Sequence, residues 1–260
     1  MVDVAVVGLG DLGLACALRL NDLGLEPVGV DSDSARRADW KAATGRTAVA
    51  VLDGLSVARV LLCVRTTSQA QAILSALQQR NRRADVAVYV LTTLEPGFAR
   101  RLDAFASSGL RVIELPVSGG RSGARTGELT VLVGGGSARP EDEEFLKCTL
   151  AREAFVFPRF GDATLVKLIN NTLAAYNASA FASCLALADQ AGLAVTDVAS
   201  VILAASGASW MAAHFKGLVD ELLAKDAALL AGELGELPTI DLSDAPRFLA
   251  GLARGRRLLG

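Results

Sequence analysis

The N-terminal stretch constrains the fold of this chain more than any other segment. Residues 2–7 are apolar except for Asp3, and such a run suits a parallel strand buried on both faces. Gly8, Gly10 and Gly13 follow at once with the spacing G-x-G-x-x-G. These glycines allow a tight turn, close approach of the backbone to a pyrophosphate, and close packing of strand and helix. The stretch therefore predicts a dinucleotide-binding βα unit, although a tight turn can also use glycines for shape alone.

An acidic residue at the end of the second predicted strand supports the same interpretation. The strand spans residues 27–30 and ends at Asp31, 23 residues after Gly8, where a carboxylate can accept hydrogen bonds from the adenosine ribose. A carboxylate would repel a 2′-phosphate, so we expect NAD as the cofactor. Arg36 and Arg37 leave NADP possible, yet both also suit a solvated helix. The cofactor contacts expected here are Gly8, Leu9, Gly10, Asp11, Leu12, Gly13 and Asp31.

Strands and helices alternate through the first 160 residues. Apolar runs predict strands at residues 2–7, 27–30, 48–52, 59–64, 85–91, 111–116, 129–133 and 154–157. Helical patterns lie between several of them, at residues 68–80, 95–107 and 140–150. This alternation predicts an α/β fold with a Rossmann-type, doubly wound parallel sheet.

Polar residues follow two neighbouring predicted strands. Ligands of doubly wound sheets bind beyond the carboxyl ends of the strands. Val64 ends one strand and is followed by Arg65 and Thr66, whereas Thr92 and Thr93 follow the next strand. We expect Val64, Arg65 and Thr92 to contact the ribose or the nicotinamide of the cofactor. An ordinary strand-end loop explains each of these residues equally well.

After residue 160 the sequence pattern becomes entirely helical. Residues 168–188 carry no charge and are numerous enough for a membrane span. Their asparagine, threonine and serine side chains would be penalised by hydrocarbon, so we predict no membrane association and expect a helix buried all round in the protein or in an oligomer. Further helices are predicted at residues 196–205, 209–230 and 245–259. We therefore predict a Rossmann-like domain at residues 1–160 and an all-helical C-terminal domain at residues 161–260, joined by a long interdomain helix.

Two polar residues in this helix have the spacing of a catalytic pair. Lys167 and Asn171 are four residues apart, so they share one helix face. Asp162 suits the N-cap or first position, which places Lys167 in the second turn. The positive end of the helix dipole and partial burial would both lower the pKa of this lysine. A lysine with such a pKa can exchange a proton near neutral pH, and its apolar neighbours argue against a surface lysine.

A glycine-rich turn follows the sixth predicted strand. Ser118, Gly119 and Gly120 offer a hydroxyl and three backbone N–H groups within a short stretch. Such a turn can hold a carboxylate. A plain glycine turn is the simpler explanation of the spacing.

Composition excludes several functional classes. The formal net charge is −2, which gives no electrostatic case for nucleic acid. The four cysteines are scattered without a C-x-x-C pair, so we predict neither a metal site nor a disulfide framework, and we expect a reducing cytoplasm. No signal peptide is evident. The single histidine, His214, lies in an amphipathic segment where a packing or surface role is expected.

Three stretches together resemble the β-hydroxyacid dehydrogenases, the family of 3-hydroxyisobutyrate dehydrogenase and tartronate semialdehyde reductase. They are GLGDLGLACALRL from Gly8, LPVSGGRSGARTGELTVLVGG from Leu115 and VKLINN from Val166. A weaker match is Lys225-Asp226. The resemblance covers residues 1–232, and its second stretch is the most specific.

The resemblance implies an NAD(P)-dependent oxidoreductase that interconverts a small β-hydroxy acid and its semialdehyde or keto form. Lys167 would be the general acid/base, and Asn171 would hydrogen-bond the substrate beside it. Lys225 would lie near the nicotinamide and the substrate. The substrate carboxylate would be held by Ser118, Gly119 and Gly120. Family members are usually dimers or tetramers, so the resemblance also implies a homodimer or homotetramer that associates through the helical domain.

The chain also departs from the family pattern. Ala163 replaces a glycine four residues before the lysine, and Glu114-Leu115 replaces the common Asp-Ala. By comparison with the family, we expect a shortened segment between Trp210 and Lys225 and a shortened C-terminus. A cofactor-binding module without turnover is therefore one alternative. An imine reductase-like enzyme is another, although such enzymes usually replace the lysine.

Overall fold

A computed structural model describes residues 3–53, 56–80, 86–107, 110–218 and 220–259. Eight strands lie within these ranges. They are β1 (Val4–Val7), β2 (Val28–Val30), β3 (Arg59–Leu62), β4 (Ala87–Val90), β5 (Arg111–Glu114), β6 (Val117–Ser118), β7 (Leu129–Gly134) and β8 (Ala151–Phe157). Val2 and Asp85, at which two predicted strands begin, lie outside the described residues.

Within the described residues, helices connect the strands and supply the regular secondary structure that follows β8. Seven precede or separate the strands: α1 (Asp11–Asp22), α2 (Ser34–Thr44), α3 (Thr67–Arg80), α4 (Pro96–Arg100), α5 (Leu102–Ser107), α6 (Gly120–Thr126) and α7 (Pro140–Thr149). Five follow β8: α8 (Asp162–Gln190), α9 (Val195–Ala204), α10 (Trp210–Ala213), α11 (Asp220–Leu234) and α12 (Ala245–Leu259). A short 3₁₀ helix, Phe215–Gly217, stands between α10 and α11. The predicted α/β architecture with a helical C-terminal region is confirmed.

The sheet places a crevice at the glycine-rich turn. Its strand order is β2-β1-β3-β4-β5-β7-β6, with β8 also paired to β7. The strands from β2 to β5 run parallel. The chain leaves β1 for β2 on one side and later reaches β3 on the other side. Doubly wound sheets bind ligands at such a switch point, beyond the carboxyl end of the strand, which here is where Gly8 lies.

The far side of the sheet is mixed rather than wholly parallel. β7 runs antiparallel to β5 and β6 but parallel to β8. Pro116 ends the predicted strand at residues 111–116 early, because proline has no N–H to donate to the ladder. After it the chain forms the short β6 and turns into α6. The last strand begins three residues earlier than predicted, at Ala151.

The sheet separates two apolar layers. Val4 and Val6 of β1 belong to one buried cluster, whereas Ala5 and Val7 belong to the other. This division follows from the alternation of side chains along a strand. All four residues of β1 are apolar because helices cover both faces of the sheet.

The long helix α8 is less buried than expected. α9, α10 and α11 pack against it, yet Ile169, Leu173 and Leu187 are exposed. The prediction of a helix buried all round therefore fails within one copy of the chain. Among the described residues, no helix is both long and apolar enough to cross a membrane.

One predicted strand does not form. Residues 48–52 contribute only a single bridge between Val49 and Val30, with Val49 bonded to the backbones of Gly29 and Asp31. β2 is only three residues long, so it offers no further ladder, and the neighbouring Val51 turns to solvent. An apolar run alone cannot reveal the length of the strand beside it.

Two predicted helices are broken. The helix expected at residues 95–107 divides at Arg101, whose N–H bonds to Phe98 while its guanidinium bonds to the Gly97 carbonyl at 3.0 Å. The helix expected at residues 209–230 divides into α10, the 3₁₀ helix and α11. There Phe215 packs edge-on against Phe181 of α8, with 5.1 Å between ring centroids. Both breaks depend on contacts that sequence periodicity does not encode.

Candidate active site

The turn after β1 is shaped for a close-approaching ligand. Gly8 has φ +90°, and a Cβ on it would stand 2.4 Å from the Cys63 carbonyl oxygen. A Cβ on Gly13 would stand 1.8 Å from the carbonyl oxygen of Gly8, so neither position admits a side chain. Gly10 is the N-cap of α1, and no side chain caps this helix. The first turn of α1 can therefore donate its N–H groups to an anion.

Asp31 ties this turn to the end of β2. Its Oδ2 accepts a hydrogen bond from the backbone N–H of Leu9 at 2.7 Å, and its Oδ1 accepts one from Asp33 at 2.9 Å. Each carboxylate oxygen can accept a second hydrogen bond, so ribose hydroxyls can still be bound. The carboxylate lies where the sequence predicts it.

Arg36 lies directly over the same turn. A Cβ on Gly10 would stand 2.7 Å from the nearest guanidinium nitrogen of Arg36. A cation beside the positive end of a helix is unfavourable unless an anion lies between them. The glycine turn, the uncapped helix, Asp31 and Arg36 therefore fit a dinucleotide with its pyrophosphate at α1.

The residues after β3 and β4 are bound to one another. Thr92 Oγ1 accepts a hydrogen bond from the N–H of Val64 at 3.0 Å, and its own proton can go to the carbonyl of Val64 at 3.0 Å. The N–H groups of Arg65 and Thr66 both donate to Gln69. Thr92 therefore has a structural task, holding the loop that carries Val64 and Arg65. A cofactor contact by these residues stays a prediction.

Lys167 and Asn171 meet as their spacing predicts. The Lys167 ammonium donates to Asn171 Oδ1 at 2.8 Å. Asn171 Nδ2 donates in turn to Asp226 Oδ2 at 2.6 Å, and Lys225 Nζ lies 3.7 Å from Asp226 Oδ1. The four side chains form one connected polar cluster between α8 and α11.

This environment lowers the pKa of Lys167 from 10.5 to about 8. Burial is the largest cause, since the side chain is only 7% exposed and a buried ammonium loses its hydration. The carboxylate of Asp226 opposes the shift, and the positive charge of Lys225 adds to it. The predicted direction is correct, with burial as the leading cause.

Glu114 sets the position of the helix that carries Lys167. Its carboxylate is fully buried and accepts hydrogen bonds from the N–H groups of Gly161 and Thr164, both at 2.7 Å. Gly161 is the N-cap of α8, with φ +92°, and Asp162 is the first helical residue. Because Glu114 is the last residue of β5, the helix begins at the carboxyl edge of the parallel strands. The cofactor turn lies at the same edge.

The predicted carboxylate-binding turn lies between β6 and α6. Ser118 ends β6, and Gly119 and Gly120 lead into the helix with φ +117° and +58°. These left-handed values favour glycine. No hydrogen bond joins this turn to Lys167 or Asn171. A substrate held by the turn would have to reach the lysine with its other end.

Sequence reasoning missed three residues of this region. Asp226 and Glu114 are buried carboxylates that meet α8 from distant parts of the chain, and Arg36 meets Gly10 from α2. The neighbouring Lys225 was the available signal for Asp226, and the departure from Asp-Ala was the signal for Glu114. No local signal singled out Arg36 from Arg37. His214 has no part in the cluster; its ring stacks on Trp210 with 4.0 Å between centroids.

Two family models match the chain. The NAD-binding domain of 6-phosphogluconate dehydrogenase matches residues 3–151. The NAD-binding region of NADP-dependent 3-hydroxyisobutyrate dehydrogenase matches residues 161–227. The matched regions contain the glycine turn and the Lys167 cluster, respectively.

Known proteins agree with these matches. The chain is 32% identical to the L-threonate dehydrogenase of Haemophilus influenzae over 217 residues, covering 80% of this chain and 71% of that protein. The solved 3-hydroxyisobutyrate dehydrogenase of Salmonella typhimurium has a similar fold, with TM-score 0.79, 24% identity, and coverage of 98% of this chain and 95% of that one. An imine reductase of Streptomyces aurantiacus also shares the fold, with TM-score 0.65, 19% identity, and coverage of 90% and 79%.

The chain belongs to the β-hydroxyacid dehydrogenase family. It is an NAD(P)-dependent hydroxyacid dehydrogenase, as its sequence motifs imply.

Proposed function

We propose that this enzyme interconverts a small β-hydroxy acid and its semialdehyde or keto form, with Lys167 as the general acid/base. The observation that carries the proposal is a buried lysine of lowered pKa, hydrogen-bonded to Asn171, at the sheet edge where the cofactor turn lies. A proton-transfer group works best when its pKa is near the operating pH. Lys167, with its pKa of about 8, meets this condition.

The cofactor, Lys167 and Asn171 have separate roles in the proposed reaction. Bound NAD(P) supplies the acceptor or donor of the hydride. Lys167 takes the proton of the substrate hydroxyl during oxidation and returns it during reduction. Asn171 Nδ2 carries two hydrogens, of which one goes to Asp226, so the second can orient the same substrate oxygen.

The substrate class follows from the groups around the lysine. We assign the substrate carboxylate to the turn of Ser118, Gly119 and Gly120, where left-handed glycines present backbone N–H groups. Lys225 is partly exposed beside Asp226 and adds positive charge to the polar cluster that contains Lys167. A small hydroxy acid suits this arrangement. L-threonate is one candidate, because a relative of this chain is an L-threonate dehydrogenase.

We favour NAD over NADP as the preferred coenzyme. Asp31 at the end of β2 supports this choice, because its carboxylate would repel a 2′-phosphate. Arg36 over Gly10 offsets part of that repulsion, so NADP remains usable. Val64, Arg65 and Thr92 complete the expected coenzyme contacts.

We place the domain boundary between residues 160 and 161. Gly161 turns the chain with φ +92° before α8 begins, which supports a boundary at this point. The family matches also break between residues 151 and 161. We further propose a cytoplasmic location, which is supported by four free thiols, Cys16, Cys63, Cys148 and Cys184.

We infer that two copies of the chain associate through their helical parts, as a homodimer or as half of a homotetramer. Of the 21 large hydrophobic side chains that are exposed among the described residues, 19 lie after residue 154. None of the residues of α12 is buried, so its apolar face with Phe248 and Leu252 is left uncovered within one copy. A second copy is the occupant that we propose for this surface.

Charge indicates how the copies meet. α12 carries four arginines and no acidic residue, whereas residues 161–244 carry ten acidic and three basic residues. If the α12 helices of the two copies packed against each other, their arginines would repel. Contact of α12 with α8 and its neighbours in the second copy joins opposite charges, and the 15-residue α12, about 22 Å long, fits along the 29-residue α8.

Enzyme assays test the proposal directly. Oxidation of NADH and NADPH would be followed with glyoxylate, succinic semialdehyde, methylmalonate semialdehyde and tartronate semialdehyde, and reduction of NAD with L-threonate. Lys167→Ala should lower kcat by about 10²- to 10⁴-fold while the Kd for NADH is nearly unchanged. Lys216→Ala, an exposed lysine, is the matched control and should keep full activity.

Other outcomes would favour the alternatives. Full activity in Lys167→Ala would exclude this lysine as the acid/base. Tight NADH binding without turnover would favour the cofactor-binding module. Reduction of cyclic imines without reduction of semialdehydes would favour an imine reductase, with which the chain shares its fold.

A further inference from the structure

We propose that Asp226 is a positioning residue that orients the amide of Asn171 and holds the ammonium of Lys167 in place through it. Asp226 lies on α11, whereas Asn171 and Lys167 lie on α8. Its side chain is nearly fully buried and receives a hydrogen bond of 2.6 Å from Asn171 Nδ2. The inference rests on the proposed role of Lys167 and adds a residue to the reaction.

The chemistry of a carboxylate decides the orientation of the amide. An ionised carboxylate only accepts hydrogen bonds, so Asn171 must turn its NH₂ group toward Asp226. The amide oxygen then faces Lys167, where it accepts the ammonium at 2.8 Å. One N–H of the ammonium is thereby directed at Asn171, and the remaining two can be directed at a substrate oxygen. Without the carboxylate, the ammonium would still select the amide oxygen, but the neutral amine of Lys167 could accept a hydrogen bond from the NH₂ end instead.

The charge of Asp226 has a second effect. Burial disfavours the ammonium of Lys167, and a neighbouring carboxylate favours it. The charged groups that face this ammonium from α11 are Asp226 and Lys225, and they act in opposite directions. On the sheet side, Glu114 bonds to the first turn of α8. Asp226 is thus the anion of the cluster, and its charge favours the ammonium of Lys167.

A single substitution separates positioning from simple packing. Asp226→Asn keeps the size of the side chain but can both donate and accept hydrogen bonds. The amide of Asn171 then has no preferred orientation whenever Lys167 is neutral, and kcat should fall about 10-fold with the Kd for NADH unchanged. In the reduction direction, the pH at which activity is lost should move downward, because Lys167 deprotonates earlier. Asp189→Asn, the same change at an exposed site on α8, is the matched control.

A measurement without turnover tests the charge effect independently. The chain has five lysines, Lys41, Lys147, Lys167, Lys216 and Lys225. Carbon-13 labelling at lysine Cε gives few NMR signals, and a Lys167→Arg variant assigns the one of interest. The Lys167 signal should titrate at lower pH in Asp226→Asn than in the wild type. This result is readable even if no substrate is turned over, so failure of the proposed function and failure of this inference are distinguishable.

Exchange of the two partners provides a second variant that keeps the hydrogen-bonded pair and the fold. Asn171→Asp combined with Asp226→Asn places the carboxylate directly against the ammonium, so Lys167 should titrate at higher pH than in the wild type. A double-mutant cycle with Asn171→Ala should be strongly non-additive, since Asp226 acts through Asn171. Additive effects, or an unchanged Lys167 titration and an unchanged kcat in Asp226→Asn, would overturn the proposal.

Discussion

At the scale of single residues, the most consequential feature is the protonation of Lys167. Its pKa is lowered to about 8, so the side chain changes charge within the working range of many enzymes. In the role that we propose for Lys167, oxidation of the hydroxy acid needs the neutral amine, and reduction of the carbonyl needs the ammonium. The two directions must therefore respond to pH with opposite sign.

We expect kcat for oxidation to rise as the pH passes upward through about 8, and kcat for reduction to fall over the same range. The reason is that the same proton is accepted in one direction and donated in the other. Initial rates from pH 6 to 10 in both directions provide the measurement. A profile with the same sign in both directions would assign the proton transfer to another group.

Coenzyme choice is the second prediction at the residue scale. Asp31→Asn should raise the ratio of kcat/KM for NADPH to that for NADH, because the repulsion of the 2′-phosphate is removed while an acceptor for the Leu9 N–H remains. A change of about 10-fold corresponds to 1.4 kcal/mol of differential binding. Asp39→Asn, the same change at an exposed position of α2, should leave the ratio unaltered.

Arg36 provides the complementary test. Because its guanidinium lies over Gly10, the gain with NADPH should be lost again when Arg36→Ala is added to Asp31→Asn. If adding Arg36→Ala leaves the ratio of kcat/KM values unchanged, the arginine is only a solvated residue of α2.

At the scale of elements, the position of α8 depends on a buried carboxylate from the sheet. Glu114 accepts hydrogen bonds from two N–H groups at the beginning of the helix, and these groups have no intrahelical acceptor. Burial raises the pKa of Glu114 above its usual 4.5. A group with a raised folded-state pKa contributes most at low pH and loses this contribution as the pH rises through the folded-state value.

Glu114→Ala should lower the free energy of unfolding by about 1–3 kcal/mol, since it leaves buried N–H groups without an acceptor. Glu114→Gln retains one acceptor oxygen and should lose less. Urea unfolding at neutral pH measures both variants. Equal stability of Glu114→Ala and the wild type would show that water replaces the carboxylate at this helix end.

Helix breaks belong to the same scale. Arg101 replaces a helical hydrogen bond with one from its own guanidinium to Gly97, and Phe215 leaves the helical path to pack on Phe181. Neither segment carries a proline at the break. Periodicity predicted the helical character of both segments correctly but not their continuity.

At the scale of the whole molecule, apolar surface is distributed unevenly. The Rossmann part covers its hydrophobic residues, whereas the helical part exposes most of its own. Patches of this kind mark sites of association. The proposed contact of α12 with a second copy accounts for this difference.

Leu252→Asp should shift the protein from dimer to monomer, because it puts a charge into the apolar face of α12. Ala250→Asp, on the arginine-bearing side of the same helix, should leave the dimer intact. Light scattering coupled to size-exclusion chromatography gives the mass of each variant. The wild-type dimer should also weaken at high salt, since opposite charges are screened. A wild-type monomer, or a dimer that tolerates Leu252→Asp, would contradict the proposed contact.

Features encoded within a few residues could be predicted from the sequence alone. The glycine turn, Asp31 at the strand end and the Lys167–Asn171 pair all depend on short spacings, which the geometry of a turn or a helix converts directly into position. The α/β alternation and the helical C-terminal part could be predicted for the same reason, because apolar residues recur with a different period in strands and in helices.

Features that depend on contacts between segments distant in sequence were decided only by the tertiary structure. Glu114 reaches α8 from 47 residues away, and Asp226 reaches Asn171 from 55 residues away. Burial of these groups, which sets the pKa of Lys167 and the orientation of Asn171, arises from packing between elements. No local pattern specifies the partner in such a contact, because the partner is chosen by how the sheet and the helices come together.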